Sequence, residues 1–170
     1  MCQYWLDYYE CEEMEEKMYT VNETKIKENK RNSILTFVIL TTLNIMFVFV
    51  NINLNFVFSN YVSIVGAILV NVGRYYPLTQ LELLITYSCL LIPLVLLSVS
   101  YYLADKNRFG FILAIIVCAL DILICLYVGT FTSTLNWEYA LPVIANGWLI
   151  IDCGVGLHNF NILKKFEENE

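Results

Sequence analysis

From Phe109 to Gly129 the chain runs for 21 residues with a single charged side chain, Asp121. Three other stretches are built the same way: Ser33 to about Asn53, Gln80 to Leu103, and Tyr139 to about Phe160, none with more than one carboxylate. An α-helix rises 1.5 Å per residue, so about 20 apolar residues cross a hydrocarbon core of ~30 Å. The pattern predicts an all-α integral membrane protein with a four-transmembrane-helix bundle. Composition agrees. Hydrophobic residues make up 58% of the 170 and charged ones 15%, against roughly 25% charged in a soluble domain. A net charge of −6 argues against a nucleic-acid partner.

Connections order the spans. ADKNR (104–108) joins the second span to the third and is short enough to force antiparallel neighbours. TFTSTLNWE (130–138) joins the third to the fourth, and Pro142 is expected in the first turn of that helix, where it can be accommodated. Residues 54–79 are harder to read. YVSIVGAILVNVG (61–73) is apolar but short for a crossing, so an interfacial or re-entrant helix on the outer side is expected between the first two spans, preceded by an extension of the first helix.

Charge supports four crossings. With both termini in the cytoplasm, Lys17, Lys25, Lys27, Lys30, Arg31, Lys106, Arg108, Lys164 and Lys165 lie inside and only Arg74 lies outside. A fifth crossing would put four of those cations on the wrong side. Tyr61, Tyr75, Tyr76, Trp137 and Tyr139 then mark the outer interface, and Tyr101, Tyr102 and Phe109 the inner one. The layout has an acidic, aromatic cytoplasmic tail at 1–32, a membrane domain at 33–160 and a short cytoplasmic tail at 161–170. No basic leader with a cleavage site precedes the first span, which is expected to stay as an anchor. Abundant Ile, Asn and Tyr with few Ala and Arg suggest AT-rich coding and a bacterial cell membrane.

The residues out of place in such a chain are Asp121 and Asp152. Counted from the expected inner ends of their spans, both lie about 13 to 18 Å deep, and Asn44 falls at nearly the same level. No Lys, Arg or His lies deep in a span, so the reading leaves the two acids without a basic partner. An ionised Asp facing lipid costs about 2.5 to 3.5 kcal/mol, so both should face inward. Ala114, Cys118, Asp121, Cys125 and Gly129 form one small or polar stripe, and Ala145, Leu149, Asp152, Gly156 and Asn159 form another. If the stripes meet, the acids approach each other and share a proton.

Other reactive side chains carry less. Cys89, Cys118, Cys125 and Cys153 read as buried small hydrophobes, and no CxxC or zinc spacing occurs. His158, the only histidine, is about 140° around the helix from Cys153 and 240° from Asp152, so it reads as an interfacial polar residue without a local dyad. Asn22, Glu23 and Thr24 match a glycosylation acceptor that a cytoplasmic tail would leave idle. No cofactor or metal site is indicated.

Two functions remain. The first is a non-enzymatic accessory, sensor or immunity-type protein acting through a membrane partner or a second copy, with the bilayer as its solvent. The second is a small proton- or cation-coupled permease built on Asn44, Asp121 and Asp152. A membrane-embedded enzyme is a lesser third, requiring His158 to meet a Cys or Asp from another helix.

Overall fold

The computed structural model describes the backbone of residues 2–50, 59–131 and 137–167, with side chains over 21–50, 59–130 and 140–165. Five helices follow in order: α1 (Cys2–Val50), α2 (Tyr61–Val72), α3 (Gln80–Lys106), α4 (Phe109–Phe131) and α5 (Trp137–Glu167). Four of them contain stretches long and apolar enough to cross a membrane, and α2 is too short. This is the integral membrane bundle that the hydropathy pattern predicts.

Helix bounds depart from hydropathy bounds at both ends of the chain. α1 continues without a break through the expected tail, because no Gly or Pro interrupts residues 2–50. Likewise α5 runs seven residues beyond the expected end at Phe160, finishing through Lys164 and Lys165, whose charges suit a helix C-terminus. Pro142 lies inside α5, not in its first turn. The expected extension of the first helix falls at residues 51–58, outside the described residues.

The long helices form a ring in which α1 packs on α5, α5 on α4, α4 on α3, and α3 on α1, while α2 lies against α3 and α1 and touches α4. Lys27 of α1 lies over the ring of Phe160 of α5, at the same end of the bundle as the α3–α4 turn, where it also donates to the Asp105 carbonyl. A capping box starts α3: Thr79 and Glu82 satisfy each other's backbone N–H groups. The α3–α4 hairpin is tight because a side chain at Gly110 would collide with the Ala104 backbone at 2.1 Å. Ser100 Oγ donates to the Gly110 carbonyl across the same contact.

The main core joins Ile34, Phe37, Leu97, Phe111, Val117 and Leu149 with the small residues Ala104, Ala114, Cys118, Ala145 and Cys153. Every residue of the two predicted small or polar stripes is buried. Those stripes are packing faces, as expected. Their register is set by two contacts, Asp121 with Asn146 and Phe111 with Gly156, which fit one antiparallel alignment of α4 and α5. In it Asp152 lies level with Ala114 and Ile115, six residues from Asp121, or ~9 Å along the axis.

Candidate functional site

The centre of the bundle is a polar layer organised by α2. Ser59 accepts from the Asn44 amide at 2.8 Å, and the Asn60 backbone N–H donates to Thr41 Oγ1 at 2.9 Å. Thr41 lies nine residues before the described end of α1, so α2 begins about 13 Å down from there. From that buried start it climbs beside α1 until Asn71 reaches the Val48 carbonyl and Arg74 lies over the Phe49 ring. The short helix therefore starts at a buried point within the bundle and runs back toward the described end of α1. Gly66 permits it, since a Cβ there would stand 2.6 Å from the Leu90 backbone nitrogen.

A helix that starts inside a bilayer brings unpaired N–H groups and a partial positive charge with it. Asn60 caps the first turn by accepting from Ser63 N at 2.9 Å. Asp121 takes the next two donors: Tyr61 N reaches one oxygen at 2.9 Å and Val62 N the other at 2.8 Å. The Asn146 amide adds a third bond to Asp121 at 2.8 Å while also donating to the Pro142 carbonyl. Asp121 is 2% exposed. Its counter-charge is the N-terminus of α2, supplied by backbone dipoles, which hydropathy reading cannot see.

Asp152 is neutralised differently. Lys30 Nζ lies 2.6 Å from one carboxylate oxygen, and Ser33 Oγ donates to the other at 2.7 Å. Here the expectation of no basic partner fails because Lys30, placed outside the span by hydropathy, reaches in along its four-carbon stem. The sharing of one proton between the acids also fails: each has its own donors, and the depth common to both is replaced by the ~9 Å offset. Asn44 does belong to the Asp121 layer, while Asp152 does not. Asn146, Ser33 and Lys30 were missed by sequence reasoning. For Asn146 the available signal was a buried-type amide inside an apolar span, four residues after a proline.

The two acids border spaces of different size. Beside Asp121 lies an apolar cavity of about 130 Å³ walled by Val62, Ile92, Pro93, Leu96, Val117 and Leu120, among others. Asp152 borders a groove of about 440 Å³ between α1 and α5, with Asn29, Asn32, Ser33 and Thr36 on one wall and Trp148 and Leu149 on the other. His158 is exposed, whereas Asp152 and Cys153 are buried, as their angular separation predicts. Cys118, Cys125 and Cys153 are buried thiols outside any disulfide. Among the described residues, no group of His, Cys, Asp and Glu is arranged to hold a metal ion.

No family model, curated protein or solved structure matches the chain.

Proposed function

We propose that this chain is a non-enzymatic accessory, sensor or immunity-type membrane protein that works by contact with a partner within the bilayer. The observation that carries this reading is that both oxygens of Asp121 and of Asp152 already accept hydrogen bonds from the chain's own donors. A coupling site for a solute needs an acid that can exchange partners; these acids hold the fold together.

What remains for an external partner is the outer surface. In their most apolar stretches only 22–33% of each spanning helix is buried within the chain. On α5, Gly147 and Gly154 face open space, and Trp148 and Ile151 beside them are 61% and 64% exposed. Small residues let a second helix approach closely, and the exposed amides of Asn29 and Asn32 across the groove offer hydrogen bonds to it. The setting that goes with this reading is a bacterial cell membrane with both termini in the cytoplasm, the side to which Lys25, Lys27, Lys106, Arg108, Lys164 and Lys165 then belong.

The test is site-specific photocrosslinking in native membranes. Probes at Gly147, Ile151 and Gly154 are expected to capture one discrete partner, while probes at Ile92 and Val95 on α3 give none. In proteoliposomes, Asp121→Asn with Asp152→Asn should leave proton and cation flux at the background of empty vesicles, as should the unaltered protein. Flux that the double substitution abolishes would support the permease instead.

A further inference from the structure

The cavity beside Asp121 combines apolar walls with two polar side chains that still have hydrogen-bonding capacity. Asn60 and Asp121 both line it. Asn60 is fully buried: its Oδ1 caps α2, but its Nδ2 has no hydrogen-bond partner among the described residues. Ser63 Oγ, in the first turn of α2, and Oδ1 of Asn146, whose amide binds Asp121, are likewise buried and unmatched. Native interiors leave few such atoms, so three around one helix start call for a polar group from outside the chain. Asp121 can meet such a group. A carboxylate offers about four acceptor positions, and Tyr61 N, Val62 N and the Asn146 amide fill three.

We propose that this cavity is a binding site for a lipid-soluble alcohol, whose hydroxyl oxygen accepts from Asn60 Nδ2 and whose O–H donates to Asp121. The polar pair selects the head. A hydroxyl both accepts and donates; an ammonium has no acceptor for the Asn60 amide, and an anion would meet the Asp121 carboxylate. The walls select the body. Apart from Asn60 and Asp121 every lining side chain is apolar, whereas a water needs two to four polar partners, so water would leave most of the cavity's surface unmatched. An apolar cavity of ~150 Å³ holds a molecule the size of benzene. At about 130 Å³ this one takes a short alkyl or ring segment behind the hydroxyl. Ile92, Leu120 and Ile124 on its wall are exposed flanks of spanning helices, so the cavity opens toward the acyl chains and is entered from the bilayer.

The experiment photolabels the full chain in a neutral detergent with a diazirine-bearing octanol and maps the adducts by mass spectrometry. Adducts are expected at Val62, Leu96, Val117 or Leu120. Octanol should protect these residues, and octane, octylamine and ethanol at the same concentration should not. Asn60→Ser keeps an N-cap acceptor but removes the Nδ2 donor, and should raise the protecting concentration of octanol about fivefold, the worth of one hydrogen bond. Asn29→Ser makes the same exchange on α1, outside the cavity, and should leave protection unchanged. Adducts confined to other residues, equal protection by octane, octylamine or ethanol, or equal octanol affinity in the two serine variants would each overturn the proposal. Should Asn60→Ser fail to fold, Leu96→Phe narrows the cavity without touching either polar group. It should suppress labelling of Val117 and Leu120, and undiminished labelling there overturns the site.

Discussion

Asp121 and Asp152 are the same side chain in the same bundle, yet they are held by different chemistry. Asp121 is fixed by backbone N–H groups at the start of α2 and by one amide. Asp152 is fixed by a lysine and a hydroxyl from α1. The first arrangement ties a carboxylate to a segment's conformation, and the second ties it to two replaceable side chains. Asp152 should therefore be open to compensation and Asp121 should not.

The largest effect is expected at Asp121. Asp121→Ala leaves two part-buried backbone donors without an acceptor, while the Asn146 amide keeps the Pro142 carbonyl; at about 1–3 kcal/mol for each unsatisfied group a loss of roughly 2–6 kcal/mol in reversible unfolding from detergent micelles is expected. A cysteine introduced at Ser63, buried in the native fold, should become reactive to a water-soluble maleimide only when Asp121 is replaced.

Next comes Gly66→Ala, which displaces α2 from the Leu90 backbone without touching the carboxylate. Overpacking of this kind costs about 1–3 kcal/mol. If the same maleimide assay reads α2 as undisturbed, the close approach to α3 contributes little, and Asp121 alone holds the helix down.

At Asp152 the informative experiment is a cycle. Lys30→Met alone should cost about 1–2 kcal/mol, below the loss for a fully buried pair because Lys30 is 29% exposed, and Lys30→Met with Asp152→Leu should recover most of it. No substitution at Asn146 should rescue Asp121→Ala in the same way. Recovery there would erase the distinction between the two acids. Ser33→Ala should be the mildest, about 0.5–1 kcal/mol, with the Lys30 contact still in place.

Much of the architecture was legible because helical periodicity is local. The two stripes through Asp121 and Asp152 were readable from spacings of three and four, and all ten residues are buried. The shortness of 61–73 likewise separated α2 from the spanning helices. Depth was not legible, since counting from apolar boundaries assumes that all helices end in one plane. α5 instead continues to Glu167, and Gly156, near its expected inner end, already packs on Phe111, the third residue of α4. Nor could periodicity reveal that Asp121 meets an N-terminus 60 residues earlier in the chain, or that Lys30 folds inward. Those are long-range choices of register, made by packing.

The distance along the chain between α2 and its anchor bears on how the protein is made. Val62 precedes Asp121 by 59 residues, so when α2 leaves the ribosome the group that neutralises its N-terminus has not been synthesised. At about 5–20 residues per second the wait is roughly 3–12 s, during which a twelve-residue segment must rest at the surface or within the insertion machinery. Its entry into the bundle is thus a late, post-insertion event. Nascent chains arrested before residue 121 should leave a Ser63→Cys probe open to labelling, and chains extended through α5 should protect it.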